Sequence, residues 1–398
     1  MSTRALAVFR GSTLLRSLTI VVVAGVVLYL ISGSLDSYRN LQLAYGGYYF
    51  CVLAGLTVLA GASGQISLGQ GAFMAVGAYT FCKLNAPPVA WSVFPSLVGA
   101  VVATVLVGIP VGAAASRLRG PYLAGATLAF AVGLPALADK FPTFLGGENG
   151  LSVNPPTPPP WLGANFPLER WEACIACAGA LVVVFVLYNL THGAIGRSWR
   201  AVRDDEIAAS LAGLRVGRRQ ALAFVVSAGC AGLGGGLLAA VLQLTSPGAF
   251  PLQLSLTLLA GVVIGGLGSL VGAVWGAALL VFLPNWTTDL ASSFSLSTNV
   301  SHNLPIAIYG LVLIGAMLVW PSGIQGGLRA LGTAVAPAIA PAWGRRRAAS
   351  ESATGEAEGG GAASEPSTGE AEGSRTTPAP SAGGAERADD EGVKASRP

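Results

Sequence analysis

The sequence predicts an all-α polytopic membrane protein of about eight to ten membrane segments, some of them short helices broken by glycine. Three observations carry that prediction. Of 398 residues, 53% are hydrophobic and only 11% are charged, where a soluble globular chain carries about 25% charged residues. Apolar runs near 20 residues long recur along the chain, and about 20 is what a helix needs to cross a bilayer. Arginine clusters fall at the ends of those runs and in the gaps between them. Mean hydropathy is +0.63. An ordinary cytosolic enzyme is excluded, because such a chain lacks the polar surface to cover itself in water.

Arg4, Arg10 and Arg16 crowd the start of the chain, where the first run, 13–33, begins. That run is long enough to span, and no clean small-residue cleavage site follows it. It therefore reads as a retained helix and not a cleaved signal peptide. Further runs fall at 41–62, 65–83, 89–115, 120–138, 171–190, 221–244, 253–284 and 303–320. Arg117 and Arg119 sit in one gap, and Arg197, Arg200, Arg203, Arg215, Arg218 and Arg219 crowd another. An arginine at the centre of a membrane helix costs about 2.5–3.5 kcal/mol on insertion scales, so these gaps are expected in the cytoplasm. With the N-terminus inside, alternation of the runs places both there. Arg329 and Arg345–Arg347 join them if 253–284 is two short segments meeting at Gly265-Gly266-Leu267-Gly268-Ser269. A single long tilted helix is the alternative. Both termini are thereby expected inside, in a multi-pass protein of the cell (inner) membrane.

Between runs, 139–170 holds Pro155, Pro156, Pro158, Pro159 and Pro160 with Asp139, Glu148 and Glu169. It reads as an extracytoplasmic loop that cannot be helical through its prolines. Beyond Trp343 lie seven of the 23 Lys+Arg and ten of the 19 Asp+Glu, so the body is net +7 and the tail −3. The positive excess of the body is what orientation by cytoplasmic arginine produces, and no nucleic acid is needed to explain it. The tail has almost no large apolar side chains and is expected to be disordered. The domain reading is 1–38 for an N-terminal segment with the first helix, 39–328 for the core with its cytoplasmic loop at about 191–220, and 329–398 for the tail.

No catalytic constellation appears, and no metal or cofactor is expected. Cys51, Cys82, Cys174, Cys177 and Cys230 all lie in apolar stretches and read as small buried hydrophobes, the C-x-x-C spacing of Cys174 and Cys177 notwithstanding. His192 and His302 fall at helix ends, away from any nucleophile. No phosphate-cradling Gly-Lys-Ser/Thr loop is present. Charged residues inside the runs are nearly absent, whereas secondary transporters place them at membrane depth. The driving force is therefore expected from a partner outside the membrane. An ion-coupled carrier acting alone and a non-transporting scaffold are the competing classes.

Three places stand out. Residues 61–73 interrupt two apolar runs with Gly61, Gly64, Gly69 and Gly71 and bring Gln65, Ser67 and Gln70 to membrane depth. Irregular backbone is tolerated there only when it is buried in protein or lines a cavity; a plain interhelical hairpin is the alternative. Gly261 to Gly276 is a second broken segment, carrying Gly265, Gly266, Gly268, Ser269 and Gly272. Paired broken segments in two halves of a chain point to a central pathway, and close helix packing would also explain them. The third place is the loop 196–215. There Asp204 or Asp205 can cap a short helix bearing Ile207, Ala208, Leu211 and Leu214, and Gly213 permits its C-terminal turn. Such a helix could dock in a partner's groove or lie on headgroups.

These stretches, in this order, resemble the inner-membrane permeases of branched-chain amino acid ABC importers, specifically the LivM type. The matching stretches are GASGQISLGQGAFMAVGAY at 61–79, RLRGPYLAGATLAF at 117–130 and LGGENGLSV at 145–153. They continue with the long run from Gly196 to Ala239, VIGGLGSLVGAVWGA at 263–277 and IYGLVLIGAMLVWPSGIQG at 308–326. The resemblance implies a type II-like importer permease. Two permease subunits, H-type or identical, would form the pathway, two ABC ATPase subunits would sit at the cytoplasmic face, and an extracytoplasmic solute-binding protein would deliver the solute. Carried over residue by residue, Glu206, Ala208, Ala209 and Gly213 match the family's coupling loop, and Arg203, Asp204 and Asp205 beside them complete the candidate coupling set. The two broken segments give Gln65, Ser67, Gln70, Gly265, Gly266 and Ser269 as pathway candidates, and the resemblance assigns no ligand contact among them. The long acidic-leaning tail departs from the family's usual short end. Importers of urea or short amides share nearly the same motifs, which leaves the solute open.

Overall fold

Residues 13–118, 120–160, 166–293, 308, 310–311, 314–315 and 323–328 are described in this computed structural model. The apolar runs become helices: α1 (Thr13–Ser34), α2 (Ser37–Thr57), α3 (Gln70–Asn85), α4 (Val93–Ala115), α5 (Pro121–Lys140) and a short α6 (Pro142–Leu145). After the proline-rich loop come α7 (Leu168–His192), α8 (Ala194–Asp204), α9 (Glu206–Leu211), α10 (Val216–Leu242), α11 (Leu252–Gly265) and α12 (Leu270–Ser293). Seven of the described helices are long and apolar enough to cross a membrane: α1, α2 with its extension, α4, α5, α7, α10 and α11 with the turn before it. With α3 and α12 they match the expected eight to ten segments. The run at 303–320 lies largely outside the described residues, as do Arg4, Arg10, Arg119, His302 and all of 329–398.

Small residues decide which helix stands at the centre. In lipid, helices gain little by hiding apolar surface from one another, so close backbone packing takes over. Helix α10 carries glycine at 229, 232, 234, 235 and 236 and has 78% of its apolar window buried, against 6% for α1. A methyl group on Gly235 would overlap the carbonyl of Met74 in α3, and one on Gly77 would overlap the carbonyl of Gly232. Helices α2, α3 and α4 accordingly pack directly on α10, around fully buried Phe73, Phe81, Leu53 and Phe224. Helix α1 is held at the edge by Ser17 to Asn189 at 3.1 Å and by Arg170 over the Tyr29 ring.

The two broken runs appear as breaks. Helix α2 ends in one π-helical turn, Val58–Ala62, and helical geometry resumes only at Gln70, not at 65 as the run suggested. Gly64 takes φ +74°, a conformation other side chains rarely adopt. The Ser67 hydroxyl accepts from the Gly69 amide at 3.3 Å, and the Leu68 amide donates to Thr127 at 3.0 Å. The segment 63–69 is thus irregular backbone, with the Leu68 and Gly69 amides partnered inside the protein. Helices α11 and α12 part at Gly266, φ +116°, and fold back on each other. A methyl group on Gly276 would sit 2.5 Å from the carbonyl of Gly261, so the break is a hairpin and not one long tilted helix.

At the opposite end, Leu151 and Ser152 pair antiparallel with Thr245 and Leu244. This two-residue ladder, the one departure from an all-α fold among the described residues, pins the loop before the prolines to the end of α10. One charged residue sits where the apolar run hid it. Glu172, near the start of α7, is only 3% exposed and accepts from Gln243 at 3.1 Å.

Candidate functional site

The arginine-rich loop folds as two short helices. Helix α8 is fastened by Trp199, fully buried, whose indole donates to the Arg219 carbonyl at 2.9 Å. Its polar face carries Arg197 and Arg200 outward. The chain then extends at Asp205, φ −156°, whose carboxylate accepts from the amides of Ile207 at 2.8 Å and Ala208 at 3.0 Å. Of the two aspartates that could cap, Asp205 does so, and Asp204 pairs with Arg203 at 2.8 Å. Helix α9 closes with the Leu214 amide donating to the Ala209 carbonyl at 3.0 Å, through Gly213 at φ +84°. This left-handed glycine stop is the one Gly213 suggested.

The faces of α9 sort its residues. Ile207 is 73% and Leu211 84% exposed, with Ala208 and Ala212 beside them on the outside. Ala209 points inward, 5% exposed, and Glu206 accepts from Gln220 of α10 at 2.8 Å. The outward surface of α9 is therefore Ile207, Ala208 and Leu211; Ala209 and Glu206 attach the helix to its own bundle. Two large apolar side chains held outward on a doubly fixed helix form the kind of anchor that a partner's groove accepts.

Arg203 reaches further than its neighbours. Its Nη1 donates to the Gly61 carbonyl at 2.5 Å, in the last turn before the first break. On its other side Gly61 touches the second break: a methyl group there would overlap the backbone of Gly268. Gly323 in turn lies against Gly266, where a methyl would come within 2.5 Å of the Gly266 Cα. The three places picked out separately along the chain thus converge at one end of the bundle.

The pathway candidates divide. Gln65, Ser67 and Gln70 are all buried. The Gln70 amide donates to Ser227 at 3.0 Å and the Gly71 amide donates to Ser255 at 3.0 Å, so this cluster rests on α10 and α11. The carbonyl oxygens of Gln65 and Gln70 and the Ser63 hydroxyl have no hydrogen-bond partner among the described residues. Gly265 and Gly266 are buried at the α11–α12 turn, and Ser269 is half-buried as α12 begins. None of the six lines the cleft of ≈ 340 Å³ between α2, α11 and α12, which is bounded by Tyr49, Gln253, Leu254, Thr257, Leu280 and Pro284. Along α2, Tyr49 stands about 18 Å from Gly61 at 1.5 Å per residue. Sequence reasoning missed Thr127, Ser227 and Ser255; a lone hydroxyl in an apolar helix was the signal that could have found them.

Residues 40–320 match the family described as the branched-chain amino acid transport system / permease component, a stretch that takes in most of α2 and all of α3 to α12. The chain is 34% identical to the high-affinity branched-chain amino acid transport system permease protein LivM of Salmonella typhimurium, over 69% of this chain and 67% of that one. LivM of Escherichia coli matches at the same identity and coverage. LivH of Escherichia coli is 25% identical, over 71% of this chain and 92% of its own length. No solved structure matches. A multi-pass bundle of apolar helices with these motifs in this order, this chain belongs to the branched-chain amino acid transport system permease family and is a transport subunit, not an enzyme.

Proposed function

We propose that the chain moves branched-chain amino acids inward as one membrane subunit of an ATP-driven importer that carries two ABC ATPase subunits, one of them docked on this chain's α8 and α9. The observation that carries this reading is the outward apolar pair Ile207 and Leu211 on a helix whose start is fixed by Asp205 and whose end is fixed by Gly213. The arginines around it give the orientation: this end, with both chain termini, lies in the cytoplasm of the cell membrane. A second permease, LivH-like or another copy, completes the pathway, and a solute-binding protein feeds it from the other side. The substrate follows from what the relatives' names say of them.

The pathway runs along α2, α11 and α12. Tyr49, Gln253 and Thr257 of the cleft stand at its outer part, and the breaks at Gly61 and Gly265–Ser269 close it near the cytoplasm. Gln65, Ser67 and Gln70 border that closure, where the unpartnered oxygens of Gln65 and Gln70 meet water or solute when it opens. The test is uptake into liposomes by the complete complex. Labelled leucine should accumulate only with ATP on the ATPase side, and unlabelled isoleucine and valine should compete. Competition by urea in place of valine would contradict the substrate, and accumulation on an ion gradient without ATP would contradict the class.

A further inference from the structure

We propose that Arg203 is a positioning residue that links the ATPase-docking helices to the closed junction of the two broken helices and keeps that junction shut until α8 moves. The inference rests on the docking reading above and concerns what lies behind it. Carbonyls in the last turn of a helix have no partner within the helix, and a π-turn at a functional site displaces them further. Arg203 supplies the missing donor to Gly61 from 142 positions away. A cation at a helix C-terminus also opposes the helix dipole favourably.

The geometry is that of a fixed strut. Asp204 accepts from Arg203 Nε at 3.0 Å and from Nη2 at 2.8 Å, which orients the planar guanidinium and leaves Nη1 aimed at Gly61. The arginine stem lies over Gly64, where an added methyl would stand 2.9 Å from its Cγ. Trp199 anchors the same helix to the Arg219 carbonyl. A load on α9 is therefore carried through α8 to Gly61, and Gly61 has the backbone of Gly268 on its far side. A contact of this kind is lost beyond about 3.5 Å, so a displacement of α8 of about 1 Å at this point breaks it.

The test uses the whole reconstituted complex and three readouts: ATPase subunits retained on purification, solute moved per ATP hydrolysed, and melting temperature. In Arg203→Gln the ATPases stay bound and melting is unchanged, while solute per ATP falls on the order of tenfold, the scale of a lost charged hydrogen bond. Arg203→Lys keeps the charge without the fork and falls less. Asp204→Ala, at a position already exposed, leaves the fold intact and lowers the ratio by a few-fold through loss of guanidinium orientation. An unchanged ratio in Arg203→Gln, or in Asp204→Ala should the arginine variant not fold, overturns the proposal. So does a fall in ratio accompanied by lost ATPases and lower melting, which marks a purely structural role. Leu211→Asp separates the two readings: if that variant keeps its ATPases the docking reading fails, whatever the arginine variants do.

Discussion

Ala208 and Ala209 are neighbours with the same side chain and opposite fates. Ala208 faces out, whereas Ala209 is 5% exposed, so an aspartate at 208 meets water and one at 209 meets protein. Ala208→Asp should leave stability within about 0.5 kcal/mol, whereas Ala209→Asp buries an unpaired charge and should cost several-fold more. Thermal melts of the detergent-purified chain distinguish them; equal melting points would contradict the assigned faces. At Gly213 the space is open but φ is +84°. Gly213→Arg should therefore cost about 1–2 kcal/mol of backbone strain without a clash, and Gly213→Asn less. At this scale the sequence told which residue types mattered but not where they point. The Gly213 stop and a cap at Asp204 or Asp205 are local and were readable from spacing, while the choice of Asp205 was not. The inward turn of Ala209, the tie from Glu206 to Gln220 and the reach of Arg203 to Gly61 depend on partners in other helices, which spacing does not encode.

Elements show the same division. Glycine clusters at 61–71 and 265–268 break helices because glycine adopts the positive φ values at Gly64 and Gly266 without strain, and that much follows from composition. The later start of α3, at Gln70, follows from Thr127 and Ser67 satisfying the irregular backbone, a tertiary event. The loop 196–215 suggested a single docking helix and folds as two, because Asp205 takes an extended backbone to cap the second. Asp205→Ala should cost about 1 kcal/mol and raise hydrogen exchange at the Ile207 and Ala208 amides, with Asp205→Asn restoring much of the protection. Unaltered exchange in the alanine variant would show that α9 is held by its packing alone. At the centre of the bundle, Gly235→Val has the Met74 carbonyl in its way. It should destabilise the chain by about 1–3 kcal/mol through overpacking, whereas the same change at Gly125, which faces open space, should cost less than that.

For the whole molecule, charge scarcity and the order of the motifs were enough to give the class, since both survive without knowledge of contacts. The meeting of the three motifs at Gly61 was not readable, because it joins α8, the π-turn of α2 and the α11–α12 turn across most of the chain. Glu172 escaped for a related reason: it lies at the start of the run 171–190 and the sequence does not single it out, and its burial and contact with Gln243 show it inside the bundle. On the proposed function, the bundle is a transport subunit whose arginine-flanked helices α8 and α9 receive the subunits that hydrolyse ATP. The most direct measurement is the amount of ATPase subunit co-purifying with the full complex when Ile207 and Leu211 are both changed to aspartate. The account predicts a folded permease, melting as the parent does, that has lost its ATPases and its ATP-driven uptake. A variant that retains both would contradict it.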